Sequence, residues 1–438
     1  MKGLIDSVLT AESSRVMFTA GDMTITAGQI RAAAERAAGS LNSKQTEIYL
    51  HTSSAAKFVA GLLAAALKAK RVVLPAHTQA SYLGEIGCDP AQLLDDNAFD
   101  LSGADASNIL AFNAAARDLD LVFFTSGSTG APKPVPKSLS RLEIEARALD
   151  SVWRAEARHV RATVSHQHIY GLLFRIFWPV MSGRTSDDTA ALYWEELGGK
   201  LGDGVTLISS PAHLTRLPPH QGFFAQTPKL VFSSGQALPF EAAQACAFAM
   251  DEYPIEVLGS TETGGIGWRR QREQGAAWTP FSNILVSADE NDLLEVCSPY
   301  LPDDAPYQTG DGVEILNDGR FKLKPRGDRV EKIEGKRVSL TRVEAALRAL
   351  TEIADASTLS LPARKTALAA IVVLTPAGAD TLKNLGAFRF SRELRHKLSE
   401  TLEPSERPKH WRFVDAIPTD SQGKRVLSTL RALFDENG

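Results

Sequence analysis

The chain has little cysteine: its 438 residues include only Cys88, Cys246 and Cys297, which are far apart. An odd number of isolated cysteines fits neither a disulfide framework nor the paired spacing of structural zinc ligands. The cysteine content therefore excludes small disulfide-stabilised secreted proteins, and it predicts a reduced, cytoplasmic compartment.

Long apolar runs and an excess of one charge are missing as well. No apolar stretch reaches the length of a bilayer span, and Asp6 and Glu12 interrupt the region where a signal peptide needs an apolar core. The 48 Lys and Arg nearly balance the 52 Asp and Glu, which leaves a net charge of −4. We therefore expect a soluble intracellular protein with no membrane span and no nucleic-acid partner.

The sequence does contain a regular alternation of strand and helix patterns. Short apolar strand patterns are each followed by small or polar residues. The predicted strands are Glu47–His51, Arg71–Pro75, Leu119–Phe124, Thr206–Ser209, Leu230–Phe232 and Ile255–Leu258, and the first predicted helices are Gln29–Leu41 and Ala55–Lys70. This order is typical of an α/β fold with mostly parallel sheets flanked by helices, in which ligands bind beyond the carboxyl ends of the strands.

The pattern changes near Arg326, which predicts a second domain. A charged, glycine-containing stretch is followed by a helix over 339–350, a strand over 367–374 and a helix over 391–402. About a hundred residues of this kind are enough for a small α+β unit. We therefore divide the chain into a large N-terminal domain, 1–327, and a small C-terminal domain, 328–438, with a hinge near Asp328.

The stretch LVFFTSGSTGAPK, Leu121–Lys133, joins an apolar strand to a loop that is almost free of side-chain bulk. Two glycines allow close approach of the backbone to a ligand, and the hydroxyl groups and successive N–H groups of such a loop can bind an anion. Lys133 adds a positive charge suited to a polyphosphate. A plain surface turn is the alternative. A Walker P-loop is excluded because the glycine spacing and the position of the lysine do not match.

The same stretch resembles the signature loop of the ANL superfamily of adenylating enzymes, which comprises acyl- and aryl-CoA synthetases, peptide-synthetase adenylation domains and luciferases. Five further family motifs have counterparts in the expected order. They are Ser233–Ala237, Gly259–Gly264, Tyr307–Asp311, Arg326–Asp328 with Lys332 and Gly335, and Ile417–Pro418 with Gly423–Lys424. The resemblance covers nearly the whole chain and implies a small C-terminal domain that is mobile.

The resemblance implies activation of a carboxylic acid by ATP to an acyl-adenylate, with release of pyrophosphate, followed by attack of a thiol. Glu262 would bind Mg²⁺, Thr261 would contact the α-phosphate, and Lys424 would bridge the α-phosphate and the substrate carboxylate. The other implied nucleotide contacts are Thr125, Ser126, Gly127, Ser128, Thr129, Gly130, Lys133, Ser234, Gly235, Gln236, Gly259, Ser260, Asp311 and Arg326. Asp328, Lys332 and Gly335 would serve the hinge and the thiol step. Considered singly, Glu262, Asp311 and Lys424 are equally compatible with a solvated acid, a Gly-Asp turn and an exposed lysine.

The segment SHQHIYGLLFRIFWP, Ser165–Pro179, resembles the acid-binding segment of the aryl-acid branch. His168 matches the histidine beside the reacting carboxylate, and a neutral imidazole there could orient it. His166 is more typical of a core histidine. Trp178 and Gly264 complete the predicted acid-binding set, although aromatic residues at helical spacing belong more often to a core.

The chain also departs from the family pattern. Leu258 stands where an aromatic residue usually packs on adenine, Pro134 replaces a glycine, and Ile266–Tyr307 is shorter than in typical acyl-CoA synthetases. The compact length and the segment Ser165–Pro179 resemble those of the short AMP-ligases of bacterial aryl-polyene and xanthomonadin-type pathways. They imply transfer of an aryl acid, such as a hydroxybenzoate or hydroxycinnamate, to a phosphopantetheinylated acyl carrier protein. Alternatives are a free-CoA ligase, a nucleotide-binding regulator without turnover, and a phosphotransferase.

Overall fold

The computed structural model describes the chain apart from residues 42, 43, 45, 69, 103–118, 127–131, 155–157, 219–222, 325–329, 334, 335, 362–366, 420–424, 426 and 436–438. The chain folds into two compact units. The first unit comprises Met1–Ser287, Glu295–Tyr307 and Leu316–Lys322, and the second unit comprises Ala288–Leu294, Gln308–Ile315 and Leu323–Gly438. The predicted boundary at 327/328 lies outside the described residues, so it stays a prediction.

The strands of the described residues are short. In chain order they are β1 (Val16–Ala20), β2 (Met23–Thr26), β3 (Glu47–Leu50), β4 (Arg71–Val73), β5 (Leu93–Leu94), β6 (Asp120–Ser126), β7 (Pro132–Ser138), β8 (His159–Ala162), β9 (Thr185–Asp187), β10 (Val205–Ser209), β11 (Leu230–Ser233), β12 (Ile255–Ser260), β13 (Gly264–Arg270), β14 (Thr279–Pro280), β15 (Leu285–Ala288), β16 (Leu293–Cys297), β17 (Tyr307–Ile315), β18 (Phe321–Lys324), β19 (Val330–Ile333), β20 (Lys336–Ser339), β21 (Ile353–Leu361), β22 (Ala367–Leu374) and β23 (His410–Phe413).

Helices separate many of the strands outside the run from β12 to β20. They are α1 (Leu4–Leu9), α2 (Ala27–Ser40), α3 (Ala55–Leu67), α4 (Ala80–Glu85), α5 (Leu139–Trp153), α6 (Ile169–Leu172), α7 (Trp178–Ser182), α8 (Pro211–Leu214), α9 (Phe240–Met250), α10 (Leu340–Arg348), α11 (Pro376–Lys397) and α12 (Leu427–Asp435). A π-helical turn, Leu173–Phe177, connects α6 directly to α7. None of the helices in the described part of the chain has the length and apolar content that crossing a bilayer requires.

Two of the sheets lie wholly within the first unit. The larger has the order β14-β13-β12-β11-β10-β8-β9-β1-β2, and the smaller has the order β5-β3-β4-β6-β7. Strands from β12 to β1 of the larger sheet run parallel, and antiparallel pairs occur at both of its ends. In the smaller sheet β5, β3, β4 and β6 are parallel, and only β7 is antiparallel. The prediction of an α/β fold with mostly parallel sheets is confirmed.

Strand β7 is an edge strand that the sequence analysis did not predict. It pairs with β6 in a hairpin, with Thr125 opposite Lys133 and Leu121 opposite Lys137. Prolines occupy every second position of β7, and an edge strand tolerates them because the N–H groups they lack are not needed on its outer side. Val135 and Lys137, which alternate with the prolines, are buried. The hairpin thus turns a cationic side chain inward.

The second unit has its own core. Strands β21 and β22 are antiparallel, β23 joins β22 in parallel, and β19 and β20 form a hairpin. Buried apolar residues of α10, α11 and these strands form one cluster that includes Leu347, Ile353 and Phe390. The segment α11 consists of two helices that meet at Gly386, where φ is +74°. The helix after Gly386 corresponds to the one predicted over 391–402, and the helix before it, which begins at Pro376, was not predicted. Thr375 caps this earlier start, since its Oγ1 accepts a hydrogen bond from the N–H of Gly378 at 3.2 Å.

Candidate active site

Two of the predicted motifs meet in the first unit, where β6 of the smaller sheet and β12 of the larger sheet end. The hydroxyl of Thr125 donates to Oε1 of Glu262 at 3.3 Å, across 137 positions of sequence. Both side chains are half-buried. Ser126 pairs with Pro132 as the last residue of β6. The structure therefore brings the start of the glycine-rich loop to the carboxylate that the sequence assigns to magnesium.

The turn that carries Glu262 is closed by its own side chains. The N–H of Ser260 donates to Oγ1 of Thr263, and the N–H of Thr263 donates to Oγ of Ser260, both at 3.1 Å. Ser298 adds a hydrogen bond from its hydroxyl to the carbonyl oxygen of Thr263 at 3.3 Å. Thr263 is buried, whereas Thr261 and Glu262 are half-buried. These hydrogen bonds fix the turn through the buried Thr263, and the predicted functional residues Thr261 and Glu262 remain accessible.

The segment after β11 lies beside β12. The hydroxyl of Ser234 donates to the carbonyl oxygen of Val257 at 2.8 Å, which fixes this segment against the strand that leads to Gly259. Gly235, Gln236 and Gly259 are exposed. The predicted nucleotide contacts of this region therefore lie on neighbouring strand ends of one sheet, as expected for open α/β folds.

The segment Ser165–Gly171 follows the carboxyl end of β8. His168 is half-buried and directly precedes α6, with its carbonyl oxygen accepting the N–H of Leu172 at 2.8 Å. The hydroxyl of Tyr170 donates to the carbonyl oxygen of Ser209, at the end of β10, at 3.1 Å. A Cβ at Gly171 would lie 2.0 Å from the carbonyl oxygen of Ser165, so only glycine allows this close approach.

His166 belongs to the core, as predicted. It is 0% exposed, and its ring nitrogens lie 3.2 Å from Nη1 of Arg175 and 3.5 Å from Oγ1 of Thr52. Burial, together with the nearby Arg175 guanidinium, lowers the pKa of His166 well below its usual value, so the imidazole is neutral. Arg175 also donates to the carbonyl oxygen of Val164 at 3.1 Å. This buried arginine on the π-helical turn therefore anchors the segment that leads to His168.

Trp178 does not line an open pocket. Its side chain is 0% exposed, and its indole N–H donates to Oδ1 of Asp150 at 3.2 Å. Its ring also packs edge-on against Phe174 and Phe232 and lies under the Arg184 guanidinium. This placement corrects the prediction that Trp178 contacts the acid, because all of these neighbours are core residues.

Two buried charged residues, Lys137 and Glu145, lie next to the Glu262 turn and were not predicted from the sequence. The ammonium group of Lys137 donates to the carbonyl oxygens of Glu262 at 2.5 Å and Tyr300 at 2.9 Å. Glu145 accepts the N–H of Gly265 at 2.6 Å. One signal was available: the alternation of Lys137 with prolines places it on the same face of β7 as the apolar Val135.

The remaining predicted residues are in the second unit or outside the described part of the chain. Asp311 is half-buried on β17, and its N–H donates to Oγ1 of Thr309 at 3.2 Å. The main chain of Lys332 lies opposite that of Arg337 in the hairpin of β19 and β20. The predicted residues that lie outside the described residues are Gly127, Ser128, Thr129, Gly130, Arg326, Asp328, Gly335 and Lys424.

One neighbour of Lys424 is described, and it is anchored. Arg425 donates to the carbonyl oxygen of Ala356 at 2.7 Å and forms an ion pair with Asp355 at 2.5 Å. Arg348 of α10 binds the same two groups, at 2.7 Å and 3.1 Å. The chain next to the predicted catalytic lysine is thus fixed to β21.

Sequence comparison identifies related proteins. Residues 86–287 match the AMP-binding enzyme family, and residues 342–424 match the AMP-binding enzyme C-terminal domain. The chain is 30% identical to a 4-coumarate–CoA ligase of Rhodobacter capsulatus over 314 residues, 71% of this chain and 76% of that protein. It is 27% identical to a 4-coumarate–CoA ligase of Cereibacter sphaeroides over 69% of each chain.

Solved structures share the fold at low sequence identity. MatB of Rhodopseudomonas palustris, solved with ATP, is 18% identical with a TM-score of 0.75, and 99% of each chain is covered. O-succinylbenzoate coenzyme A synthetase of Bacillus subtilis, solved with ATP and magnesium, is 16% identical with a TM-score of 0.74, covering 98% of this chain and 99% of that one. Together with the ordered motifs and the contact between Thr125 and Glu262, the matches show that this chain is a member of the AMP-binding enzyme family and an AMP-forming ligase of carboxylic acids.

Proposed function

We propose that this enzyme activates an aromatic carboxylic acid with ATP and transfers the acyl group to a phosphopantetheine thiol. A carboxylate oxygen of the acid attacks the α-phosphorus, and pyrophosphate leaves with the electrons of the broken P–O bond. The thiol then attacks the acyl carbon, loses its proton, and releases AMP. The hydrogen bond between Thr125 and Glu262 is the observation that carries the proposal, because it joins two separate nucleotide motifs.

The residues at this site fit magnesium bound together with a nucleotide. Mg²⁺ in phosphoryl-transfer sites is held by one or two carboxylates, with phosphate oxygens and water completing its shell. Glu262 supplies one half-buried carboxylate, and within the described residues no group of three or more His, Cys, Asp or Glu could form a protein-only metal site. When bound, magnesium would neutralise charge on the phosphates.

The protein side chains would position the reactants and shield charge. Thr125 and the glycine-rich loop would bind the β- and γ-phosphates, and Lys133 is exposed at the start of β7, where its charge can reach them. Thr261 would donate to the α-phosphate. Asp311 would accept hydrogen bonds from the ribose hydroxyls. Lys424 would offset the repulsion between the carboxylate and the α-phosphate.

We place the acid beside His168, between the carboxyl ends of β8 and β10. Tyr170 fixes the start of α6 to the end of β10, at the same edge of the sheet as the nucleotide segments after β11 and β12. The names of the relatives favour a 4-hydroxycinnamate-like acid. We infer that His168 orients the carboxylate of such an acid.

The thiol acceptor that we favour is coenzyme A, with an acyl carrier protein as the second candidate. The short chain resembles the carrier-protein ligases in length, but length does not distinguish between the two acceptors. Since 314 residues are 76% of the Rhodobacter capsulatus coumarate ligase, that CoA ligase is about 410 residues long, as short as this chain. The segment Ser165–Pro179, with its likeness to carrier-protein ligases, supports the second candidate.

Acid-dependent exchange of labelled pyrophosphate into ATP tests the first half-reaction. We expect exchange with hydroxycinnamates or hydroxybenzoates and little with fatty acids. Glu262→Gln keeps the shape of the side chain and removes its charge, so exchange should fall about 100-fold. The exposed acid Glu241, at the start of α9, provides the control variant Glu241→Gln, which should keep wild-type exchange.

A thiol comparison tests the second half-reaction. With the preferred acid, coenzyme A should support faster thioester formation than a holo acyl carrier protein, and the reverse order would establish the second candidate. Absence of exchange with every acid, although ATP binds, would favour a regulator. Release of ADP in place of AMP would establish a phosphotransferase and refute the proposal.

A further inference from the structure

A buried pair of opposite charges supports the main chain of the Glu262 turn. Lys137 is 3% exposed and Glu145 is 4% exposed. The Lys137 ammonium donates to the carbonyl oxygen of Glu262 itself and to that of Tyr300. A buried ammonium group is costly unless hydrogen bonds and an opposite charge compensate it, so its presence here calls for a role.

Glu145 is the buried acid of this pair and binds the other end of the same turn. Because burial raises its pKa to about 7, it supplies the opposite charge above that pH. Its Oε1 accepts the N–H of Gly265 at 2.6 Å. Gly264 has φ of +68°, and a Cβ there would lie 2.6 Å from the Tyr300 ring and 2.8 Å from Oε2 of Glu145. The carboxylate therefore packs directly against the glycine pair, and Lys137 and Glu145 together hold the turn at residues 262 and 265.

The hairpin of β6 and β7 reaches Glu262 from both of its strands. Thr125 at the end of β6 contacts the carboxylate, and Lys137 on β7 contacts the carbonyl oxygen of the same residue. These two strands flank residues 127–131, the glycine-rich loop predicted to bind the phosphates. The position of the glutamate is thus set by the hairpin that carries this loop.

We propose that Lys137, balanced by Glu145, is a positioning residue that fixes the main chain of Glu262, so that the affinity of the nucleotide site for magnesium depends on it. The inference rests on the proposed function, which assigns Glu262 to magnesium. Residues that orient metal ligands are worth about 10- to 100-fold in metal affinity. We therefore expect loss of Lys137 to act on magnesium dependence beyond any loss of folded protein.

The test measures binding, so that it does not depend on turnover. Mant-labelled ATP is mixed with the full-length protein, and magnesium chloride is titrated from an EDTA-treated baseline. Lys137→Met removes the ammonium group at similar volume and should raise the half-saturating magnesium concentration about tenfold. Arg184→Met is the matched control: it removes a buried cation that forms an ion pair with Asp150 at 2.7 Å in the same unit, and it should leave the magnesium requirement within about twofold of wild type.

Each outcome decides the inference. A folded Lys137→Met protein with the wild-type magnesium requirement overturns it, as does an equal shift in Arg184→Met. If Lys137→Met does not fold, Lys137→Gln keeps a neutral NH2 donor group and should shift the requirement in the same direction, and no shift would overturn the inference. Nucleotide binding by the wild type that ignores magnesium also overturns it. If magnesium matters but no acid supports exchange, the proposed function fails while the comparison of variants still stands.

Discussion

Replacing Glu145 by glutamine should change how the stability of the first unit depends on pH. Glu145 is buried on α5, and burial raises its pKa from 4.5 to about 7 against the opposing effects of the Gly265 N–H and Lys137. Glutamine keeps an oxygen acceptor for the Gly265 N–H but cannot ionise. The variant therefore isolates the contribution of this one proton.

The sign of the effect follows from proton uptake. The folded state holds its proton on Glu145 up to about pH 7, whereas the unfolded chain releases it near pH 4.5. Stability that depends on this proton is fully present below pH 4.5 and is lost as the pH rises through 7. A difference of about 2.5 pKa units corresponds to about 3 kcal/mol in the free energy of unfolding, lost by the wild type and not by Glu145→Gln.

The measurements should stop at pH 7.5, because above that pH the deprotonation of Lys137 also changes the stability. Burial lowers the pKa of Lys137 from 10.5 to about 8, an effect that Glu145 and Glu262 oppose and Arg141 reinforces. Its folded pKa lies below its unfolded value, so above pH 8 its deprotonation makes stability rise with pH. Between pH 4.5 and 7.5 the ionisation of Glu145 dominates the difference between the two proteins.

Urea unfolding followed by tryptophan fluorescence is a suitable assay. Trp153, Trp178, Trp194, Trp268 and Trp278 lie in the first unit and only Trp411 lies in the second, so the signal reports chiefly on the unit that contains Glu145. Glu241→Gln, which changes an exposed acid, should follow the wild type at every pH. Parallel pH profiles for Glu145→Gln and the wild type would refute the reasoning.

Three further substitutions have defined outcomes. Trp178→Phe should lower the free energy of urea unfolding by about 2–3 kcal/mol, because the side chain loses volume and its hydrogen bond to Asp150. The acid concentration that half-saturates exchange should stay unchanged. A changed half-saturating concentration in a variant of full stability would show that Trp178 lines the acid pocket. Gly171→Ala should destabilise by about 1–3 kcal/mol and weaken acid binding, since its Cβ meets the Ser165 carbonyl; wild-type exchange kinetics would contradict this. Arg425→Met should slow exchange about tenfold or more, because Arg425 positions its neighbour Lys424. Arg348→Met removes contacts to the same two partners from α10 and should not slow exchange. Equal effects of the two substitutions would show that Arg425 does not position Lys424.

The sequence predicted the strands that position the site because each is a short apolar run followed by small residues. Ile255–Leu258 and Leu119–Phe124 were found in this way, and each continues two residues further, to Ser260 and Ser126. The extra residues are Gly259, Ser260, Thr125 and Ser126, a glycine and three hydroxyl-bearing residues that local pattern assigns to loops. Strand β7 was missed because its three prolines argue against a strand unless its edge position is known.

The support of the site could not be predicted in the same way. Trp178 has helical spacing whether it lines a pocket or a core, and only the contacts with Asp150 and Phe232 distinguish the two. Lys137 meets carbonyl oxygens that are 125 and 163 positions away in sequence. A lysine is exposed by default, so its burial becomes visible only when the two sheets are assembled.

The central claim is that the acid is activated as an adenylate, and oxygen transfer tests it most directly. The acid is labelled with ¹⁸O at both carboxylate oxygens and incubated with ATP, magnesium and coenzyme A, and the phosphorus products are analysed by mass spectrometry. One ¹⁸O should appear in AMP, since that oxygen bridges carbon and phosphorus before the thiol attacks, and pyrophosphate should carry none. Label in inorganic phosphate together with ADP, or AMP without label, would contradict the account.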